Sequence, residues 1–321
     1  MQILITGAAG FIGFNLSKYL LENSKLKVFG IDNFNTYYSK SLKIDRIKEL
    51  KKFHNFKFEK IDITNKKKLD SFFKGKKISL IVNLAAQAGV RYSLKKPTEY
   101  VDNNILGFYN IINAANSHKV KKIIYASSSS VYGDSVTFPL NEKQKIKPKN
   151  IYALSKKINE EMADVFSEQF KIYFVGLRFF TVYGEWGRPD MFMMKYLTSS
   201  YNYSKKFYLN NFGNHTRDFT YINDACEIIK KLILSKNKKT YHQLFNICSN
   251  NPINLSKIIN QINKLTNKKP KIFKRCLQKA DVIKTHGSNK KILLKIGKMK
   301  FTQMEIGLKK TVDWFRKYYN Y

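Results

Sequence analysis

Apolar residues along this chain follow two patterns. Short runs that are apolar at nearly every position predict strands buried on both faces, as in a parallel sheet. Between these runs, apolar residues recur every three or four positions, which predicts amphipathic helices. We expect strands at residues 2–6, 27–31, 56–63, 78–84, 122–126 and 172–177. We expect helices at residues 15–21, 97–116, 152–170, 225–234, 254–266 and 304–319, with one more beginning near residue 65.

The alternation of strands and helices predicts an α/β fold. Its expected form is a Rossmann-type doubly wound parallel sheet with a smaller C-terminal α/β lobe. Ligands of such sheets bind beyond the carboxyl ends of the strands. We assign residues 1–180 to the sheet domain, which would carry the catalytic residues, and residues 181–321 mainly to a substrate-binding lobe. The chain is expected to cross back to the first domain around residues 215–250.

The charge of the chain narrows the classes of ligand. Its 321 residues carry a formal net charge of +36, with 59 Lys and Arg against 23 Asp and Glu. Because the lysines are spread along the whole chain, we interpret the charge as a compositional bias and do not predict a nucleic-acid site. The charge would still attract a doubly phosphorylated anion.

The sequence contains no pattern typical of a membrane span, a signal peptide, a disulfide framework or a zinc site. No segment approaches the roughly 20 apolar residues that span a bilayer, so no membrane partner is expected. The N-terminus has neither a basic region nor a cleavage-like site, which argues against a signal peptide. Cys226, Cys248 and Cys276 are too widely spaced to indicate a zinc site or a disulfide framework. We therefore expect a cytoplasmic protein without a metal.

A glycine-rich loop joins the first strand to the first helix. It predicts a pyrophosphate site, because glycines allow a tight turn and a close backbone approach at a helix N-terminus. The residues of this loop are Gly7, Gly10, Phe11, Ile12 and Gly13. The second strand ends at Asp32, whose carboxylate would accept hydrogen bonds from the adenosine ribose and repel a 2′-phosphate. Asn33 follows instead of an arginine, so we predict NAD and not NADP.

Two further strand ends are candidates for cofactor contact. Asp62, followed by Ile63, has two equally favoured interpretations: it lies near the adenine amino group, or it caps the helix near residue 65. Leu84, Ala85 and Ala86 follow the fourth strand, where small residues let the backbone approach a cofactor. Arg91 lies just beyond, at the same edge of the predicted sheet.

Tyr152 and Lys156 are the candidate catalytic pair. Four residues apart on a helix, they lie on one face. A free phenol has a pKa near ~10 and is a poor base at neutral pH, but an adjacent ammonium favours the phenolate. In a chain this rich in Tyr and Lys, such a spacing alone more often marks a solvated helix face. The motifs that surround Tyr152 and Lys156 in the sequence favour the catalytic interpretation of this spacing.

Five stretches resemble the extended short-chain dehydrogenases/reductases and, within that group, the UDP-glucuronate 4-epimerases. The stretches are residues 6–13 (TGAAGFIG), 83–93 (NLAAQAGVRYS), 125–133 (YASSSSVYG), 177–190 (LRFFTVYGEWGRPD) and 217–224 (RDFTYIND). The first is common to the whole group, whereas AAQAGVRYS and RFFTVYGEWGRPD are specific to the glucuronate branch. The resemblance covers most of residues 1–250 and thins after that.

The resemblance implies a reaction at C4 of a UDP-linked hexuronate. Tyr152 would take the C4 hydroxyl proton while NAD takes the hydride, and the 4-keto sugar would turn over before both return. Lys156 would hold Tyr152 ionised and bind the nicotinamide ribose. Ser128 matches the third catalytic position and would bind the same oxygen.

A hexuronate carries a carboxylate, for which arginine offers a planar fork of donors. The 4-keto intermediate is a β-keto acid, which loses CO2 when its carboxylate bond stands parallel to the carbonyl π orbitals. We therefore expect Arg188, with Ser129, Ser130 and Thr181, to hold the carboxylate away from that geometry. The alternative for Arg188 is that it caps a loop ahead of Pro189.

Other residues receive roles from the resemblance alone. Lys195 is expected near the nucleotide, Arg217 at the UDP pyrophosphate, and Gln278 and Asp281 at the uridine ribose. Lys279 and Ala280 stand where the family usually has Pro-Gly. Two further residues have structural interpretations. Arg178 is expected to form an ion pair, and Asp224 to cap the helix 225–234.

Competing functions remain open at this level. A 4-epimerase of UDP-glucose or UDP-N-acetylglucosamine is the main alternative, and a UDP-glucuronate decarboxylase comes next. A dehydratase would need an acid pair where this chain has Ser129 and Ser130. A non-catalytic NAD-binding protein commonly lacks the Tyr or the Lys, and both are present. The family also implies a homodimer, through helices near residues 97–116 and 152–170.

Overall fold

The structure, a computed structural model, describes residues 1–235, 241–278 and 281–321. Its first half alternates strands and helices. In chain order these are β1 (Gln2–Thr6), α1 (Phe11–Asn23), β2 (Lys27–Asp32), α2 (Lys40–Lys51), β3 (Phe56–Lys60), α3 (Lys66–Phe73), β4 (Leu80–Asn83), α4 (Thr98–Tyr100), α5 (Gly107–Ser117), β5 (Lys122–Ser128), α6 (Ile151–Phe170) and β6 (Tyr173–Phe179).

The second half contains shorter strands. In chain order its elements are β7 (Thr181–Tyr183), α7 (Phe192–Tyr201), β8 (Phe207–Asn210), β9 (Thr216–Tyr221), α8 (Ile222–Leu234), β10 (His242–Ile247), β11 (Pro252–Asn254), α9 (Leu255–Thr266), β12 (Ile272–Arg275), α10 (Lys290–Ile296) and α11 (Met304–Tyr319).

Seven parallel strands form the main sheet, in the order β10-β6-β5-β4-β1-β2-β3. Helices cover both faces, so β4, β6 and most of β1 and β5 are buried, as their apolar runs predict. The fold-class prediction of a Rossmann-type doubly wound sheet is confirmed. The strand order reverses between β1 and β4, which opens a crevice at their carboxyl ends.

The C-terminal segments add two small sheets beside this edge. One consists of β11, β9 and β7, and the other pairs β12 with β8. The chain also returns to the main sheet, because β10 pairs with β6 in parallel. One continuous apolar core joins α1, for example at Phe14, to residues of the later segments such as Phe207 and Leu308.

One local prediction differs in detail and another is wrong. The expected helix 97–116 is helical over residues 98–117, but its middle, Val101–Leu106, is a π-helical segment between α4 and α5. Within it the buried Asn104 accepts from the Gln87 amide and donates to Ser155 Oγ. Asp224 does not cap α8, which begins earlier, at Ile222. Its carboxylate instead accepts bonds from the amide and hydroxyl of Thr302, which ties α8 to the start of the C-terminal segment.

Candidate active site

The glycine loop is shaped by backbone contacts that side chains would obstruct. Gly7 has φ +67°, and a Cβ there would lie 2.8 Å from the Ala85 nitrogen. A Cβ on Gly10 would lie 2.9 Å from the Gly7 carbonyl oxygen. The loop therefore lies directly against the end of β4 and leads into the N-terminus of α1. This is the cradle that a pyrophosphate requires.

Asp32 lies at the end of β2, next to the glycine loop. Its carboxylate accepts hydrogen bonds from the amides of Ala9, at 3.1 Å, and Phe34, at 2.8 Å. Burial raises the pKa of Asp32, and the ammonium of Lys43 opposes this shift. The carboxylate is thus held at the edge of the cleft where a ribose hydroxyl would donate to it.

Asp62 does not cap α3, so that alternative is wrong. Asn65 is the N-cap, and its side chain accepts from the Lys68 amide. Asp62 accepts instead from Asn33 Nδ2, at 2.8 Å, and from Thr64. Burial alone would raise the pKa of Asp62, but these hydrogen bonds outweigh it and the pKa lies below its usual value. Asp62 therefore orients Asn33, which lines the cleft.

Tyr152 lies in the first turn of α6. Asn150 caps that helix by accepting from the Ala153 amide at 2.9 Å. One turn later, the buried Lys156 donates from Nζ to the Ala126 carbonyl at 2.8 Å, which fixes it beside β5. Burial lowers the pKa of Lys156 to about 8, against the opposing charge of Glu160. Both Tyr152 and Lys156 line the same cleft.

The serine run follows β5 and turns back towards the cleft. Ser128 ends the strand, is buried, and accepts from the Ser130 amide at 3.1 Å. Ser129 begins a short 3-10 turn that ends at Tyr132. Ser128, Ser129 and Ser130 all line the cleft together with Tyr152. The serine run thus extends from the end of a buried strand into the wall of the cleft.

Arg178 has the structural role that the sequence predicts. Its guanidinium forms a buried bidentate pair with Glu160, with bonds of 2.8 and 2.7 Å, and donates to the Tyr132 hydroxyl. This pair joins β6 to α6, one turn beyond Lys156. Neither Arg178 nor Glu160 lines the cleft.

Arg188 lines the cleft and is paired with a carboxylate of its own loop. Nε and Nη2 donate to the two oxygens of Asp190, at 3.0 and 2.8 Å. The Tyr37 hydroxyl donates to the same carboxylate at 3.0 Å. The guanidinium beside Asp190 holds the pKa of that carboxyl below its usual value, although burial opposes this. The plane of Arg188 is therefore set by the protein.

A second cationic cluster lies outside this cleft. Arg91 pairs with Asp281 through bonds of 3.1 and 2.5 Å. Arg217 donates to backbone carbonyls, including those of Val282 and Ile283. Burial lowers the pKa of Arg217 to about 10, and the nearby charge of Arg91 contributes to the shift.

Two other residues that were predicted to bind the substrate are exposed to solvent. Lys195 is an exposed residue of α7. Gln278 is exposed, and its side chain donates to the Cys276 carbonyl at 3.3 Å. The neighbouring Lys279 and Ala280 lie outside the described residues.

Most of the predicted residues border one cleft of about 360 Å³. These are Gly7, Gly10, Phe11, Ile12, Gly13, Asp32, Asn33, Ile63, Leu84, Ala85, Ala86, Ser128, Ser129, Ser130, Tyr152, Lys156, Thr181 and Arg188. Asp62, Arg91, Lys195, Arg217, Gln278 and Asp281 do not line it. The cleft runs from the glycine loop to Arg188, so a dinucleotide and a sugar can lie end to end at the switch point of the sheet.

The segment after β2 contributes residues that the sequence reasoning missed. Asn35, Tyr37, Tyr38 and Lys43 line the cleft, and Lys43 donates to both Asn35 oxygens. The available signal was the pair of cations at positions 43 and 46, one helical turn apart on α2. This pair of cations does not stand out in the sequence because many other lysines surround it.

Neither a membrane-spanning helix nor a metal-binding cluster occurs among the described residues. None of their helices is long and apolar enough to cross a bilayer. The same residues contain no group of three or more His, Cys, Asp or Glu placed to hold a metal ion.

Known proteins are similar to this chain in sequence and in fold. The model of the NAD dependent epimerase/dehydratase family matches residues 3–248. UDP-glucuronate 4-epimerase of Thermodesulfobacterium geofontis is 37% identical over 97% of this chain and 95% of its own length. Protein CapI of Staphylococcus aureus is 39% identical over 99% of both chains. The crystal structure of UDP-glucuronic acid 4-epimerase from Bacillus cereus, in complex with UDP-glucuronic acid and NAD, matches with a TM-score of 0.93, 31% identity, and coverage of 99% of this chain and 100% of that chain. This chain therefore belongs to the NAD dependent epimerase/dehydratase family.

Proposed function

We propose that this protein catalyses the NAD-dependent 4-epimerisation of UDP-glucuronate to UDP-galacturonate. The observation that carries the proposal is the position of Arg188, whose oriented guanidinium lines the same cleft as Tyr152, Ser128 and Thr181. Asp190 takes the Nε and Nη2 donors of Arg188, so the remaining donors of the guanidinium are available to a ligand in the cleft. A hexuronate would present a carboxylate to these donors, and a neutral sugar would not.

The residues of the cleft fit NAD. The glycine cradle and the buried Asp32 carboxylate suit a pyrophosphate and a ribose diol, and Leu84, Ala85 and Ala86 leave room beside β4. Bound NAD supplies the hydride acceptor and donor for C4. Lys43 and Asn35, which border the cleft near Asp32, complete its polar lining.

Proton transfer falls to the residues at the ends of β5 and α6. Tyr152 takes the C4 hydroxyl proton and later returns it, so the sugar passes through a 4-keto form. Lys156 stabilises the phenolate through its charge, and its bond to the Ala126 carbonyl fixes its position. Ser128 donates to the same sugar oxygen. General acid–base catalysis of this kind typically accelerates a reaction by a factor of roughly 10²–10⁴.

The carboxylate must be held while C4 is a ketone. Arg188, with the hydroxyls of Ser129, Ser130 and Thr181, is proposed to keep the carboxylate bond out of line with the carbonyl π orbitals. This suppresses the loss of CO2 that a β-keto acid undergoes. Asp190 and Tyr37 support the clamp, because their bonds fix the guanidinium in the absence of substrate.

The rest of the UDP-sugar is assigned to the C-terminal lobe. Arg217 and Arg91 form a cationic cluster with Asp281, which suits the pyrophosphate. We retain Asp281 and Gln278 for the uridine ribose, Lys195 for the nucleotide, and Asp62 for the adenine end of NAD. The division into residues 1–180 and 181–321 is part of the same proposal. So is a cytoplasmic location, where NAD and nucleotide sugars are made.

The outer faces of two packed helices support a homodimer. Tyr109 of α5 and Phe166 of α6 are in ring contact at 6.0 Å. Exposed apolar side chains occur on these two helices and on the segments that precede α5: Leu94, Val101, Leu106, Tyr109, Leu154 and Val165. Exposed apolar area of this kind marks a protein interface. A second copy of the chain would cover it.

Removal of the Arg188 guanidinium tests the proposed substrate. We expect Arg188→Ala to weaken UDP-glucuronate binding roughly 10- to 100-fold, since bonds to a charged group contribute about 1.5–3 kcal/mol. Turnover should also release UDP-pentose products by decarboxylation. Calorimetry and proton NMR measure the two effects.

Arg316→Ala is the matched control. The Arg316 guanidinium donates to the Tyr201 hydroxyl and the Leu265 carbonyl, and neither of these residues lines the cleft. Binding of UDP-glucose should be unaffected by either change. Unchanged UDP-glucuronate binding and turnover in Arg188→Ala would refute the clamp.

A further inference from the structure

Arg46 of α2 is a buried cation to which the proposed mechanism gives no role. It has no exposed surface. Nη1 donates to the Ala9 carbonyl of the glycine loop, at 2.8 Å, and to the Tyr38 hydroxyl, at 2.7 Å. One side of the guanidinium is thus anchored to the loop that would hold the cofactor.

The other side of the guanidinium reaches the loop of Arg188. Nη2 donates to the Trp186 carbonyl in a short bond, and the Gly187 carbonyl lies 3.5 Å away. Trp186 has φ +58°, a left-handed conformation that a tryptophan rarely adopts without support. One planar group therefore joins the glycine loop, at Ala9, to the loop of Arg188, at Trp186, although the two loops lie far apart in the sequence.

Stability alone does not account for this arrangement. The bonded acceptors of Arg46 are carbonyls and a hydroxyl, and its buried Nε has no hydrogen-bond partner among the described residues. A buried cation with an unsatisfied donor costs free energy that an apolar side chain would not. The presence of Arg46 is therefore better explained by its effect on the positions of the two loops that it joins.

We propose that Arg46 is a positioning residue that ties the glycine loop to the loop of Arg188. The dinucleotide cradle and the carboxylate clamp then take up their working geometry together. The role at the clamp rests on the proposed function, whereas the role at the glycine loop does not. A shift of about 1 Å in either loop is enough to cost roughly 100-fold in a precisely arranged site.

Arg46→Lys tests the tie, because it keeps the charge and loses the planar fork that spans both carbonyls. We expect the Kd for NAD, measured by calorimetry on stripped protein without sugar, to rise roughly tenfold. The Kd for UDP-glucuronate on NAD-loaded protein should rise by a similar factor, and that for UDP alone less than twofold. Arg316→Lys is the control, because the Arg316 guanidinium also bonds to a tyrosine hydroxyl and a backbone carbonyl. We expect it to lower Tm by a similar amount and to leave all three dissociation constants unchanged.

The background Arg188→Ala separates the two proposals. If Arg46 acts on the sugar through Arg188, Arg46→Lys no longer weakens UDP-glucuronate in that background, although it still weakens NAD. If Arg188→Ala itself leaves UDP-glucuronate binding unchanged, the proposed function fails, and the NAD constant alone tests the tie. If Arg188→Ala weakens the sugar but Arg46→Lys alters neither ligand, the tie is refuted.

Tyr38→Phe provides a second variant in case Arg46→Lys does not fold. It removes a hydroxyl that accepts from Arg46 and keeps the ring that lies beside the guanidinium. We expect both NAD and UDP-glucuronate to bind at least threefold more weakly. Unchanged binding of both ligands by a folded Tyr38→Phe protein would overturn the proposal.

Discussion

Lys156 is the residue whose protonation controls the proposed base. Its folded pKa of about 8 lies below the usual lysine value because burial disfavours the ammonium. At pH 7 the group is still mainly charged, which is the form that the proposed mechanism requires. Above its pKa it loses the proton and, with it, the positive charge that the mechanism uses.

The pH profile tests this assignment. We expect kcat to fall as the pH rises through about 8, by roughly tenfold per unit once Lys156 is mainly neutral. Lys156→Arg keeps its charge across this range, so its lower activity should not fall between pH 8 and 9.5. Initial rates with saturating UDP-glucuronate measure both profiles. The same decline in the arginine variant would assign it to another group.

At the level of elements, the N-terminus of α6 positions the base. Asn150 caps the helix, and Tyr152 lies two residues later. We expect Asn150→Ala to reduce the free energy of unfolding by about 1 kcal/mol and to lower kcat, because the first turn loses its anchor. Thermal unfolding and initial rates measure the two effects.

Asn254→Ala is the matched control, since Asn254 caps α9 through the Ser256 amide. It should cost similar stability without lowering kcat. Equal losses of kcat in both variants would show that the cap of α6 has no special role.

The elements also show why the sequence predicts one half of the fold better than the other. Strands β1, β4 and β6 are buried on both faces, so each can be recognised in the sequence as a continuous apolar run. The short strands β8 and β12 are specified by their pairing with each other, from distant parts of the chain, and not by a local pattern. The π-helical segment before α5 is likewise fixed by contacts with Gln87 and Ser155.

The candidate site divides in the same way. Tyr152, Lys156 and the glycine loop are recognisable because their chemistry requires fixed spacings in the sequence. Arg46 and Tyr37 act through partners more than 130 residues away, so only the folded chain reveals them. Asp62 could have either of two roles from sequence, and the hydrogen bonds of Asn65 exclude one of them.

At the level of the whole molecule, the proposed dimer face is testable. Val165 of α6 is 64% exposed and lies within that face, whereas Leu294 of α10 is 88% exposed and lies outside it. We expect the protein to sediment as a dimer and Val165→Glu to sediment as a monomer, because a buried unpaired charge is costly. Leu294→Glu should remain a dimer. A monomeric parent protein would contradict the proposal.

Proton NMR of the purified protein with UDP-glucuronate and no added reductant tests the central claim most directly. The account predicts that UDP-galacturonate appears and approaches equilibrium, with no pentose signals, because the carboxylate is held while C4 is oxidised. A UDP-pentose product would contradict the clamp and indicate a decarboxylase. No change with UDP-glucuronate, together with turnover of UDP-glucose or UDP-N-acetylglucosamine, would contradict the assignment of Arg188 and indicate a neutral-sugar epimerase.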